Sequence, residues 1–254
     1  MATYKKRGGK PKTKEDKDKA LEAQSTTAGV FNTLDEGASK TERWVAANQK
    51  NIFIGLATVV VIVLGYIGYQ NFIKGPKEKE ASIALFQAEN HFQAAQNTTA
   101  KDSLYMVALN GAQGSKGFLG VIEDYGSTNA GNIARYYAGI TYLQTKNYQE
   151  AINHLEKFKA KETLTGALAK GNLGDAYAEL NNKEQALKHY KAAAAYKANE
   201  LTTPIYLFKA ATVALQLNKK QEALTLLNQI KNDYPNSPEA TQIDSLIALA
   251  EAGK

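Results

Sequence analysis

Cysteine is absent from the 254 residues. That removes disulfides, thiolate metal sites, cysteine nucleophiles and lipid attachment through cysteine. It leaves the compartment open, because stacked helices need no disulfide even in an oxidising space. Histidine occurs only three times, as His91, His154 and His189. The last two lie 35 residues apart, which marks an equivalent position in successive units rather than a ligand pair. No HExxH, GxSxG or close carboxylate pair stands out. Gly111, Gly114, Gly117 and Gly120 recur every three residues, yet no strand frames them as a phosphate loop, and no strands are evident at all. No catalytic residue, metal or cofactor is therefore expected, and the chain does not read as an enzyme. Proline is sparse, at 5 residues, beside abundant Ala, Leu, Lys, Glu and Gln, which favours helix.

What the chain does have is one long apolar run. Residues 51–73 carry no charge. As a helix the segment is roughly 35 Å long, enough to cross a hydrocarbon core of about 30 Å with some tilt. The β-branched run from Thr58 to Val63 is a poor helix former in water, whereas lipid forces the backbone to satisfy its own hydrogen bonds. Trp44 before the run, and Tyr66, Tyr69 and Phe72 at its end, suit the two interfacial belts. A cleaved signal is disfavoured by the preceding arm of about fifty residues and by the lack of an Ala-x-Ala site. A single transmembrane anchor at 51–73 is the expectation.

The flanking charges balance, with Lys40, Arg43 and Lys50 before the span and Lys74, Lys77 and Lys79 after it. The first 50 residues together hold eleven Lys and Arg against seven acids, and a short basic arm stays on the cytoplasmic side. That places the N-terminus in the cytoplasm and the C-terminal domain across the membrane. Residues 1–24 are Lys-rich and nearly devoid of apolar residues, so disorder is expected there. Glu15, Asp16, Asp18 and Glu22 interrupt the basic charge, so nucleic-acid binding is not expected. In 25–48, Val30, Phe31, Leu34, Ala38, Trp44 and Val45 fall at helical spacing. Thr33-x-x-Glu36 and Ser39-x-x-Glu42 each match a capping box, so an amphipathic juxtamembrane helix is predicted.

The C-terminal part repeats itself. Segments starting at Gly139, Gly174 and Ala210 align on Ala151, Ala186 and Ala223, spaced by 35 and 37 residues. A small residue lies twelve earlier each time, at Gly139, Gly174 and Ala211, and Leu155, Tyr190 and Leu227 fall four after the anchor. Small residues let paired helices approach and larger ones fill the gaps, so each hairpin buries its second face against its neighbour. Phe118, Ile122 and Tyr125 reproduce the spacing 33 residues upstream. A degenerate copy is thus predicted over 77–128, its first helix at 77–96 opened by Gly75-Pro76, with an irregular stretch at 97–116. Ser237 is predicted to open a capping helix over 237–252.

This pattern resembles the tetratricopeptide repeat, clearest over about 132–235, within a domain covering 77–252. The fold class expected is all-α: a single N-terminal transmembrane helix followed by a tetratricopeptide-repeat α-solenoid. The resemblance implies a protein-binding concave face lined by first helices. Its candidate residues are Tyr136, Ile140 and Gln144; Asn172, Asp175 and Glu179; and Lys209, Thr212 and Gln216. The carboxylate clamp of chaperone-binding members maps to Tyr136, Ile140, Asn172, Ile205 and Lys209, a set that matches poorly. With its one span and the motifs at 123–128, 174–179 and 204–240, the chain looks like the YfgM family of Gram-negative bacteria. That resemblance implies an inner-membrane adaptor with periplasmic repeats, whose partners are the SecYEG translocon, a membrane-anchored prolyl-isomerase-like chaperone and emerging polypeptides, beside membrane lipid. The alternative is a scaffold subunit of another envelope complex, for secretion or division.

Overall fold

The computed structural model describes Lys14 and residues 26–98, 101–112 and 114–252, with backbone alone at 26–29 and 31–36. The basic arm expected at 1–24 lies outside them except for Lys14, as do the side chains of Phe31, Thr33, Leu34 and Glu36. The chain divides into two compact units, Met1–Tyr69 and Gln70–Lys254.

In the first unit, α1 runs unbroken over Thr26–Tyr69, so the juxtamembrane segment and the apolar run up to Tyr69 are one continuous helix, while residues 70–73 fall in a π-helical turn. An 18-residue window of this apolar run reaches a mean hydropathy of 2.4 and is 0% buried. By length and composition it is sufficient to cross a membrane. Thr58 donates its hydroxyl to the Ile54 carbonyl at 2.8 Å, which satisfies that polar group within the helix itself.

The second unit opens with a π-helical turn, Gln70–Lys74. It continues as α2 (Gly75–Gln96), α3 (Lys101–Asn110), β1 (Gly111–Ala112), β2 (Ser115–Lys116) and α4 (Phe118–Tyr125). Then come α5 (Asn129–Gln144), α6 (Tyr148–Lys157), α7 (Thr163–Glu179), α8 (Lys183–Ala194), α9 (Thr202–Gln216) and α10 (Lys220–Asp233). A 3-10 turn at Pro238–Thr241 and α11 (Ile243–Glu251) follow, so Ser237 caps that turn and the final helix starts later than predicted. From α5 to α10 each helix packs on the next, and α7 also touches the helices two before and two after it. This is a helical solenoid.

The repeat signature acquires its physical meaning here. A Cβ on Gly139 would sit 2.5 Å from Leu155 Cγ, and one on Gly174 would sit 2.5 Å from Tyr190 Cδ1 and Cε1. In these two hairpins, then, the missing side chain of the first helix is filled by the large residue of the second. The turns repeat too. Lys146, Asn181 and Asn218 each adopt a left-handed conformation, with φ of 60°, 57° and 58°. After them, Asn147, Asn182 and Lys219 donate backbone N–H groups at 2.8 Å to the carbonyls of Tyr142, Tyr177 and Ala214, closing the helix ends.

Upstream of these repeats the structure corrects the sequence reading. Residues 101–110 form α3 rather than irregular chain, and a two-stranded antiparallel hairpin pairs Gly111 with Lys116 and Ala112 with Ser115. The expectation of no strand fails because the glycines supply a turn. Gly111 and Gly114 take φ of +88° and +83°, which side chains disfavour. The core here is aromatic. Phe118, fully buried, stacks on Tyr137 at 5.4 Å, and Phe92 meets Tyr105, Phe118 and Tyr137 within 6.2 Å. Glu78 of α2 then reaches across to α5 and accepts from the Asn129 and Ala130 N–H groups, both at 2.8 Å. A carboxylate on otherwise orphaned helix donors ties the first helix of the unit to the first repeat.

Candidate protein-binding groove

Helices α5, α7 and α9 are the first members of three successive hairpins. Residues three, four, seven or eight apart on a helix share a face, and the nine candidates follow that spacing on each of the three. Their surroundings differ. Gln144, Glu179 and Gln216 are exposed, whereas Tyr136, Ile140, Asn172, Asp175, Lys209 and Thr212 are half-buried.

The structure joins two candidates directly. Lys209 Nζ lies 2.7 Å from Asp175 Oδ1, bridging α9 to α7. The same carboxylate oxygen accepts the Tyr190 hydroxyl at 2.6 Å. Lys209 also stands over the rings of Tyr190 and Tyr206, at 5.5 and 6.0 Å from their centroids. Those two rings stack at 6.4 Å. Lys209 is thus held by one carboxylate and two π faces, each contact worth about 0.5–1 kcal/mol at a partly exposed site. A lysine so engaged is poorly placed to act as the free cation of a carboxylate clamp. Burial, then the hydrogen bond to Asp175, pushes the Tyr190 hydroxyl above its ordinary pKa; burial does the same to Tyr206. Both remain neutral donors throughout the physiological range.

Other candidates are partnered differently. Tyr136 packs on Phe158 at 5.2 Å and on Tyr137 at 5.7 Å, and burial pushes its pKa up to about 12. Glu179 accepts the Tyr148 hydroxyl at 3.0 Å. Thr212 donates to the Phe208 carbonyl at 3.0 Å, back into its own helix. Sequence reasoning missed Tyr206 and Gly171. A Cβ at Gly171 would overlap the Tyr206 ring, so this small–large pair sets how closely α9 approaches α7. The signal lay in an aromatic three residues before Lys209, on the same helix face.

His154 and His189 take equivalent places, stacked on Tyr142 at 5.4 Å and on Tyr177 at 5.1 Å. Burial lowers both pKa values, and His154 Nδ1 is buried without a hydrogen-bond partner. They pack as repeat positions, each in its own hairpin. Among the described residues, no three His, Asp or Glu side chains gather into a metal-holding group.

The tetratricopeptide repeat family matches residues 134–162 and 206–237, the first and last of the three hairpins. Those two segments are tetratricopeptide repeats. Among solved structures, the putative kinesin light chain of Podosopora anserina with nearly identical TPR-like repeats is similar. Its TM-score is 0.51 at 16% identity, over 67% of this chain and 85% of that one, a likeness of fold. No curated protein matches the chain. Tetratricopeptide repeats are a scaffold for protein–protein interaction, and the stacked hairpins from α5 to α10 place this chain among interaction adaptors.

Proposed function

We propose that this chain is a membrane-anchored adaptor of the YfgM type, holding partner proteins on the face of α5, α7 and α9 beside the Sec translocon. The observation that carries the reading is the apolar window of α1, with a mean hydropathy of 2.4 and 0% of it buried. An uncovered apolar surface of that length supports a seat in lipid. On this reading residues 51–73 cross the bacterial inner membrane, the N-terminal arm stays in the cytoplasm and the repeats stand in the periplasm. The working partners are SecYEG, a membrane-anchored prolyl-isomerase-like chaperone and polypeptides leaving the translocon. The role is non-catalytic. Tethering multiplies shallow contacts, because an anchored groove meets emerging chains at high effective concentration.

Affinity purification of the intact chain in mild detergent tests the partner assignment. Recovery of translocon and chaperone subunits is expected. Division or secretion subunits in their place would make the chain a scaffold for that assembly instead. Protease added to spheroplasts is expected to digest the repeats; protection of the repeats, with digestion only after lysis, would reverse the orientation.

A further inference from the structure

Two clefts meet beside α5, where the α4–α5 turn approaches the connection 158–162. Asn129, Asn132, Lys159 and Lys161 line both, so the clefts form one recess with two chemically different ends. One end, of 550 Å³, carries Arg135, Lys157, Lys159 and Lys161 against the single carboxylate of Glu156. Among the described residues, none of these four cations is in an ion pair. The other end, of 400 Å³, is walled by Ile133, Tyr136, Tyr137 and Phe158, and there Glu89 and Glu162 balance the two lysines. Excess positive charge is therefore confined to one end and apolar surface to the other.

The recess is held open by its own hydrogen bonds. Asn132 Oδ1 accepts from Lys159 N, and Asn132 Nδ2 donates to the Lys159 carbonyl, both at 2.9 Å, which pins the connection to α5. Lys197 Nζ donates to the Lys161 carbonyl at 3.0 Å from the far side. Arg135 Nη1 donates to the Gly126 carbonyl at 2.8 Å, fixing the guanidinium at the rim. A site whose frame is already ordered loses less entropy when a ligand enters. Burial raises the pKa of Glu89, at the edge of the apolar end.

We infer that this recess binds an extended acidic segment of a partner protein. A large apolar side chain of the segment sits among Ile133, Tyr136 and Phe158, and a neighbouring carboxylate pairs with Arg135 and the lysines. The aromatic end supplies area, while the cations supply direction, since a segment laid in reverse would put its carboxylate beside Glu89 and Glu162. This deepens, and rests on, the assignment of the repeats as a partner-binding domain. Apart from Tyr136, the recess is distinct from the positions that form a carboxylate clamp in chaperone-binding repeats.

The test uses the full chain in detergent micelles and fluorescence anisotropy of labelled nonapeptides. One peptide is centred on Phe-Asp-Asp, with Phe-Asn-Asn and Ala-Asp-Asp as comparisons. Each comparison peptide is expected to bind at least about tenfold more weakly, as is the parent peptide to the Lys159→Glu/Lys161→Glu variant and to Ile133→Asp. Binding is expected to weaken as salt rises and to ignore Gln221→Ala, at an exposed position of α10. Equal binding of the Asn peptide, or indifference to both variants, overturns the inference. So does loss of phosphatidylglycerol vesicle binding in the lysine variant with peptide binding intact, which would assign the cations to a lipid surface. If no peptide binds while a photo-crosslinker at Gln144 or Glu179 still captures a partner, the recess falls and the adaptor stands. If the crosslinkers also capture nothing, the adaptor reading falls with it.

Discussion

Replacing Gly174 by alanine pits two opposed effects against each other, and the geometry decides between them. Alanine is favoured over glycine inside a helix by about 0.5–1 kcal/mol. Its methyl group would, however, lie 2.5 Å from Tyr190 Cδ1 and Cε1 and 3.1 Å from Cγ. Ordinary carbon contacts are about 3.5–4.0 Å, so the ring has to retreat by about 1 Å. It has nowhere to go: Tyr190 is 5% exposed, tied to Asp175 at 2.6 Å and stacked on Tyr206. Overpacking of this kind costs about 1–3 kcal/mol, which leaves a net loss of roughly 0.5–2 kcal/mol. At about 2–4 °C per kcal/mol for a domain of this size, the midpoint should fall by roughly 1–8 °C. Far-UV circular dichroism of the full chain in detergent measures it. Gly120→Ala is the control, because its Cβ meets Lys116 Cβ at 3.5 Å, an ordinary contact, and the variant should melt at or above the parent temperature. A Gly174→Ala chain as stable as the parent, beside an unharmed control, would refute the claim that Tyr190 occupies the space of the absent side chain.

Three further outcomes are expected. Glu78→Ala removes the two carboxylate oxygens that accept from Asn129 and Ala130, leaving the Thr128 cap, and should lower stability by about 1–2 kcal/mol in urea unfolding, with protection of the Asn129 and Ala130 amides lost in hydrogen exchange. Lys146→Gly relieves a left-handed backbone of a side chain that disfavours it and should raise stability by about 1 kcal/mol, whereas Asn181→Ala should lower it. Because burial depresses the folded-state pKa of His154 and His189 below 6.5, their contribution is full above that value and lost as pH falls through the lower folded value. Unfolding midpoints should therefore drop between pH 7.5 and pH 5, and His154→Phe should flatten the drop.

Glycine and alanine at 139, 174 and 211, with the anchors Ala151, Ala186 and Ala223, are enough to specify which helices pair. That information is local: a small residue here and a large one sixteen later set one close approach, and repetition makes it a solenoid. The charge-free run 51–73 likewise declares its length and apolarity without reference to any neighbour. Residues 97–116 are illegible in the same terms because their order depends on partners elsewhere in the chain, such as Phe92 on Tyr105, and on the hairpin's glycine turns.

The sequence by itself determined the repeat lattice and the apolar segment, since periodicity and size are properties of the chain. Only the tertiary structure decided that Lys209 is held between Asp175 and two tyrosine rings, that Glu78 caps a helix 51 residues away, and that Arg135, Lys157, Lys159 and Lys161 line one cleft beside an aromatic one. Those are relations between groups on different helices and connections. Their distances follow from how helices stack, which no spacing along one helix encodes.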